Sequence, residues 1–68
     1  MKDEAEKLGR NLKRIRTEKD ITQSDIARLL GVSRGFVSNL EKGKTNPTLA
    51  TITKLAGAIG VTTDELLK

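Results

Sequence analysis

The sequence predicts an all-α domain of about five short helices, and three observations support this prediction. Apolar residues recur at intervals of three and four, as on the buried face of an amphipathic helix. Hydroxyl residues that can accept free backbone N–H groups stand just before three of these stretches, at Thr22, Ser33 and Thr62. Glycine, which adopts the left-handed conformation of many helix ends without steric cost, follows two of them, at Gly31 and Gly60.

Length and composition limit the chain to one small domain, residues 1–68. A chain of this size buries only about 60% of its unfolded surface, so its core is modest. It has no cysteine and no histidine, which removes disulfides, thiolate metal sites and the usual general base at neutral pH. We therefore expect no metal, no cofactor and no small-molecule ligand. Charged residues follow Met1 and every apolar run is short, so we expect a cytoplasmic protein without membrane contact.

The first predicted helix covers residues 5–19. Its apolar side chains form a single stripe and are Ala5, Leu8, Leu12 and Ile15. Gly9 within it costs up to about 1 kcal/mol relative to Ala, which a close contact with another helix would explain. The formal net charge of +4 favours anionic partners such as nucleic acids, although small domains often carry such a charge for solubility alone. We interpret Arg10 and Lys13 as a solvated helix face.

Residues 22–43 are typical of two short helices joined by a tight turn at Gly31. An apolar residue stands before each N-cap and another stands four positions after it, which is the hydrophobic-staple arrangement. The small Ala27 is placed where the two helices would cross. The side chains expected to share a core are Ile26, Leu30, Val37 and Leu40. Outside, the second helix presents a polar face without an acid, formed by Arg34, Gly35, Ser38 and Asn39.

This order and spacing resembles the helix-turn-helix of the Cro and phage-repressor (XRE) family of DNA-binding transcriptional regulators. The matching residues are Gln23, Ala27, Gly31, Val32, Ser33, Val37, Leu40, Glu41, Lys42 and Gly43. The resemblance continues through LKRIRTEKDITQ before the motif and through NPTL and GVTTDELL after it, so it covers most of the chain. It implies a compact five-helix, lambda-repressor-like domain that binds double-stranded DNA without catalysis. Residues 33–42 would be the recognition helix in the major groove.

The resemblance places the polar face of the recognition helix against base edges. Arg34 can pair with guanine O6 and N7, and Asn39 with adenine N6 and N7. A phosphate contact for Arg34 and a plain surface amide for Asn39 remain open. Ser38 lies on the same face, whereas Gly35 departs from the polar side chain usual in the family, which removes a reader and allows closer approach of the helix backbone. Phe36 serves either as core filler or as a contact to a thymine methyl.

The residues around the recognition helix are expected to bind phosphates, and they are Gln23, Ser33, Lys42, Lys44, Thr45 and Asn46. In the family, a Gln at the position of Gln23 contacts phosphate at a helix N-terminus, where backbone N–H groups also favour anions. An Arg at the position of Arg16 pairs with a Glu at the position of Glu41. We therefore expect an Arg16–Glu41 ion pair that positions the first helix on the third.

The C-terminal part of the chain is predicted to supply core and a dimer contact. The apolar face of residues 48–58 and their flank comprises Leu49, Ile52, Leu55, Ala56 and Ile59. Val61, Leu66 and Leu67 are more apolar groups than one short helix buries fully. Phage repressors of the resembled family pair through this region, so we expect a homodimer contact here. The alternative is that both leucines complete the core of the monomer.

The predicted function is that of a sequence-specific transcriptional regulator that binds a palindromic operator as a homodimer. An alternative is an antitoxin-like or other protein-interaction module of the same fold, for which an extra apolar arm or tail would be diagnostic, and the sequence has none. An RNA reader is disfavoured because such proteins usually stack bases on aromatic residues, and the chain has no Tyr or Trp. The sequence ends with its last predicted helix, as a stand-alone regulator would, and an excised N-terminal domain would end in the same way.

Overall fold

Five helices and their connections make up the structure, which confirms the predicted all-α class. The computed structural model describes the backbone of residues 2–68 and the side chains of residues 4–68. In chain order the helices are α1 Lys2–Glu18, α2 Gln23–Leu30, α3 Arg34–Glu41, α4 Leu49–Ile59 and α5 Thr63–Leu67. Of the consecutive helices, α2 packs on α3 and α4 packs on α5.

Side-chain caps set the beginnings of α2, α3, α4 and α5. Each of these helices follows a hydroxyl residue whose side chain accepts a backbone N–H three positions later. At α2, Thr22 Oγ1 accepts the Asp25 N–H at 3.0 Å, and the Asp25 carboxylate accepts the Thr22 N–H at 3.0 Å. The predicted glycine ends are confirmed, because Gly31 and Gly60 have φ values of 71° and 72°. The turn between α2 and α3 is therefore fixed from both sides.

The core lies between α1 and the other helices. α1 contacts α3 and α5, while α2 packs on α3 and α4. The buried apolar residues are Ala5, Leu8, Leu12, Ile15, Ile26, Ala27, Val37, Leu40, Leu55, Ala56, Ile59 and Leu66. The predicted stripe of α1 is thus confirmed, and Ala27 is buried in a helix that packs on α3.

Three residues predicted in the core are less buried than expected. Leu30 and Ile52 are only partly buried against it. Leu49 is 72% exposed, so its assignment to the core was wrong. Leu49 is the first residue of α4, and helical side chains lean toward the helix N-terminus. Its side chain therefore leans beyond the turns of α4 that pack on α2.

The prediction that Leu66 lies at a dimer interface was also wrong. Leu66 is 0% exposed within the monomer. α5 is only five residues long and packs against α1 and α4, so this leucine faces the core. The side-chain amide of Asn11 in α1 donates to the Leu66 carbonyl at 2.7 Å, which fixes the end of the chain against α1.

Gly9 allows the backbones of α1 and α3 to touch. A Cβ at this position would lie 2.5 Å from the carbonyl oxygens of both Leu40 and Glu41. The close helix contact expected from the sequence is therefore confirmed. A second tight contact involves Gly43, which follows α3 with a φ of 72°, and a Cβ there would lie 2.7 Å from Glu6 Cγ.

An ion pair with a third partner ties the first three helices together. Arg16 of α1 donates through Nε and Nη2 to both oxygens of the Glu41 carboxylate in α3, with Nη2 to Oε1 at 3.0 Å. Gln23 of α2 donates to the same Oε1 through Nε2 at 2.9 Å. The side chains of Arg16 and Glu41 are 16% and 5% exposed. The predicted pair is confirmed, and we call Arg16, Gln23 and Glu41 the Glu41 clasp.

The clasp changes the acidity of its carboxyl group. Burial by itself raises the pKa of Glu41, but hydrogen bonds from Arg16 and Gln23, together with the positive charges of Arg16 and Lys13, outweigh that effect. The pKa of Glu41 therefore lies below its ordinary value of 4.5. Glu41 consequently stays ionised at neutral pH, with its charge directed into the clasp.

We predict that Gly9→Ala destabilises the protein although Ala is the better helix former. The new methyl group would press on two backbone oxygens that cannot rotate away, and overpacking of this kind typically costs about 1–3 kcal/mol. Gly57→Ala is the matched control, since a Cβ at Gly57 meets nothing within 4 Å. It should stabilise the protein by about 0.4–1 kcal/mol. Urea denaturation followed by circular dichroism measures both, and a Gly9→Ala protein as stable as wild type would contradict the tight contact.

We predict that Glu41→Gln lowers the free energy of unfolding by about 3 kcal/mol, because it leaves the Arg16 guanidinium partly buried without a counter-charge. Glu18→Gln is the control, since Glu18 pairs with Arg14 at 3.5 Å where both side chains are more than half exposed. That change should cost less than about 1 kcal/mol. Equal losses in the two variants, measured by the same denaturation, would show that the clasp contributes no more than a surface pair.

The clasp also predicts how stability changes with pH. A carboxyl group whose pKa is lower in the folded than in the unfolded chain stabilises the fold fully above the unfolded value of 4.5. That contribution is lost as the pH falls through the lower, folded value. As the pH falls below 4.5, the stability of Glu41→Gln should therefore decrease less than that of wild type. Parallel curves for the two proteins would contradict the lowered pKa.

Candidate nucleic-acid interface

The outer side of α3 carries the four residues predicted to read bases. Arg34, Gly35 and Asn39 are exposed, and Ser38 is half-buried. With 3.6 residues per turn, these positions fall on one side of the helix. The side chains of α3 and its cap that form hydrogen bonds with other described residues are those of Ser33 and Glu41. The polar groups of Arg34, Ser38 and Asn39 therefore remain available to a ligand.

The exposed face of α3 has no negative charge. The only acid in the helix is Glu41, whose side chain is directed inward and held by Arg16. Arg34 at the N-terminal end of the helix supplies a positive charge. A helix N-terminus also carries partial positive charge from its free N–H groups. This face is consequently suited to a polyanion.

Phe36 packs inward. It is half-buried and contacts the hydrophobic core. Of the two roles left open by the sequence, the structure supports core filling. The helix face toward solvent is then made of short polar residues and one long basic side chain.

The predicted phosphate-binding residues lie on both sides of α3. Before the helix, Ser33 Oγ accepts the Phe36 N–H at 3.1 Å, so its main role is that of a cap. After the helix, Lys42, Lys44 and Asn46 are exposed and Thr45 is half-buried. These residues continue the polar surface of α3 into the loop that leads to α4.

Gln23 has a role that sequence reasoning missed. Its side chain was expected on a phosphate, whereas the structure shows its amide group donating to Glu41. A carboxylate accepts several hydrogen bonds, so an Arg partner alone does not saturate Glu41. No spacing rule relates residues 18 positions apart on different helices, so nothing in the sequence indicates this contact.

The predicted dimer residues divide between core and surface. Leu66 belongs to the core, as described above, whereas Leu67 is 45% exposed. Val61 is half-buried and packs on the core at the turn before α5. Leu67 and the outer part of Val61 are therefore what remains of the predicted apolar contact.

The part of the chain that the structure describes contains neither a membrane-spanning helix nor a cluster of metal ligands. None of its helices has the length and apolar character needed to cross a membrane. Its acidic side chains form no group with the arrangement of a metal site.

Sequence comparison gives the family. A family model described as helix-turn-helix (HTH_3) matches residues 12–66. Over 60 residues the chain is 42% identical to an uncharacterized HTH-type transcriptional regulator, y4dJ of Sinorhizobium fredii, which covers 88% of this chain and 78% of that protein. The chain spans only about half the length of several other curated relatives.

Solved structures agree with this assignment. The restriction-modification controller protein C.AhdI from Aeromonas hydrophila superposes with a TM-score of 0.86 at 37% identity, over 91% of this chain and 94% of that one. The controller protein C.Esp1396I, solved as a tetramer in complex with its natural 35 base-pair operator, superposes with a TM-score of 0.78 at 26% identity, over 94% and 95% of the two chains.

The matched model spans most of the chain, and the five-helix fold agrees with that of the solved relatives. The caps, the turn at Gly31 and the acid-free face of α3 are also those expected from the resemblance. The chain therefore belongs to the helix-turn-helix (HTH_3, XRE/Cro-type) family of DNA-binding transcriptional regulators, which are not enzymes.

Proposed function

We propose that this protein is a cytoplasmic regulator that recognises a palindromic operator in double-stranded DNA as a homodimer, with α3 in the major groove. The observation that supports this most directly is the acid-free, exposed face of α3, which the Glu41 clasp holds in place from behind. A major groove about 12 Å wide admits an α-helix, and such helices read base edges from their N-terminal half. Arg34 lies in that half, and Ser38 and Asn39 lie one turn further along.

Each exposed side chain of this face has a chemical role in the proposal. Arg34 donates two hydrogen bonds to guanine O6 and N7, and Asn39 exchanges two with adenine N6 and N7. Ser38 either donates or accepts, so it tolerates more than one base. Gly35 offers no polar group, and its contribution is one of shape.

The phosphate contacts of the proposal come from both ends of α3. Lys42 and Lys44 supply positive charge, while Thr45 and Asn46 donate hydrogen bonds to phosphate oxygens. The Ser33 hydroxyl group accepts the capping bond from Phe36 and can at the same time donate its hydrogen to a phosphate oxygen. Because the Gln23 amide group already donates to Glu41, a phosphate contact from Gln23 uses its second amide hydrogen or its backbone N–H. A bound phosphate would then be coupled directly to the clasp.

The proposed homodimer forms through contacts of Leu67 and the exposed part of Val61. Leu67 is 45% exposed although it follows the fully buried Leu66, so an apolar group remains at the end of α5. A symmetric pair would place two recognition helices about 34 Å apart, one helical turn of DNA. The solved tetramer of C.Esp1396I on its operator is a precedent for assembly on DNA.

We predict that selection from a random duplex pool recovers a palindrome with half-sites about one helical turn apart. Affinity for the selected sequence should fall steeply as salt rises, because each phosphate contact releases counterions. Electrophoretic mobility shift at two salt concentrations measures this. Weak binding without enrichment of any sequence would contradict the proposal and would redirect the search to a protein partner.

We predict that Arg34→Ala and Asn39→Ala each lower affinity for the selected operator by about 1–3 kcal/mol and relax preference at one base pair per half-site. Lys54→Ala is the control, because Lys54 is an exposed cation on α4, a helix that packs on α2 and α5 rather than on α3. It should leave sequence preference unchanged. Loss of affinity without any change of preference would assign Arg34 or Asn39 to phosphate rather than to a base.

We predict that Leu67→Asp weakens the dimer by at least about 1.5 kcal/mol, because it puts a charge into an apolar contact. Sedimentation equilibrium measures the association directly. Leu49→Asp is the matched control, since Leu49 is also an exposed leucine, at 72%, but lies outside the predicted contact. If Leu67→Asp dimerises as wild type does while Leu49→Asp does not, the dimer contact lies at the start of α4 instead.

A further inference from the structure

Three glycines lie inside helices of this protein, and the monomer explains only one of them. Glycine within a helix is unfavourable relative to alanine. Gly9 is required by the contact between α1 and α3, where a Cβ would lie 2.5 Å from two carbonyl oxygens. Gly35 in α3 and Gly57 in α4 have no such neighbour.

The surroundings of Gly35 would accept a side chain. A Cβ at this position would lie 3.8 Å from Ser33 Oγ, which is an ordinary van der Waals contact. The residue is exposed, is the second residue of α3 and does not have a positive φ. Neither the packing nor the backbone geometry of the monomer therefore requires glycine at position 35.

Its position on the exposed face of α3 distinguishes Gly35 from Gly57, which lies in α4. Gly35 lies on the exposed face between Arg34 and the pair Ser38 and Asn39. Arg34 has a long side chain that bends, whereas those of Ser38 and Asn39 are short. Short side chains reach base edges only when the helix backbone lies deep in the groove. The size of the residue at position 35, on the same face, then limits how deeply the helix can enter the groove.

We propose that Gly35 is a specificity-determining residue that acts through the absence of a side chain. Its bare backbone lets α3 approach one base pair of each half-site more closely than a residue with a Cβ allows. The thymine C5-methyl and the other groups on the major-groove edge differ in how far they project, so this close contact is sensitive to sequence. The inference rests on the proposed function, because it takes α3 to be the helix that enters the groove.

The test compares Gly35→Ala with Gly57→Ala in the full chain. Each variant adds one methyl group at an exposed helix position with space for it, so both should raise the melting temperature by about 2–8 °C. Mobility shift with the wild-type selected operator then isolates the effect on DNA. Gly35→Ala should bind that operator at least tenfold more weakly, while Gly57→Ala should stay within twofold of wild type. Affinity for a scrambled duplex should be the same in all three proteins.

Repeating the random-pool selection with Gly35→Ala should change the preferred base at a single position of each half-site. Operator affinity of Gly35→Ala within twofold of wild type would overturn the inference and leave the proposed function intact. An equal loss in both variants, or a lower melting temperature for Gly35→Ala, would overturn it as well. If wild type itself enriches no sequence, the proposed function fails first, and that result is visible before any variant is made.

Discussion

The buried carboxylate of Glu41 is the interaction on which the rest of the structure depends. It lies at the end of α3, yet its partners come from α1 and α2, so a single charged group fixes three helices at once. A partly buried pair gains little net stability when its lost solvation is counted, but it strongly penalises any arrangement that leaves one partner alone. The clasp therefore selects one orientation of α3 relative to the helices behind it. Gly9 acts toward the same end, because it brings the backbone of α1 against the carbonyl of Glu41 itself.

The same carboxylate shapes the electrostatics of the opposite side of α3. An exposed glutamate at this end of the helix would repel a polyanion at the place where the loop lysines are expected to bind it. By directing Glu41 inward and neutralising it with Arg16, the fold keeps this negative charge off the outer face of α3. The lowered pKa of Glu41 keeps this arrangement ionised at neutral pH. Positioning and polarity of the interface thus follow from one hydrogen-bonded group.

Much of this could be predicted from the sequence, because the signals were local. Capping residues such as Thr22 and glycine ends such as Gly31 depend on neighbours within a few positions, and the structure confirms them. The failures were not local. Leu66 and Leu67 are adjacent and chemically identical, and only the packing of α5 on α1 decides that one is buried and the other exposed. Likewise, the contact of Gln23 with Glu41 depends on how two helices cross, for which the sequence carries no spacing rule.

The structure separates the residues that hold α3 from those available to read DNA. Val37, Leu40 and Glu41 face inward, whereas the side chains of Arg34 and Asn39 form no hydrogen bond or core contact with the other described residues. A change on the outer face therefore leaves the fold and its stability nearly unaltered. Under the proposed function, single substitutions on the outer face could alter operator preference while the Glu41 clasp keeps the orientation of α3 constant. A small domain with a modest core tolerates such changes only where the side chains that pack the helix on the core differ from those that would contact DNA.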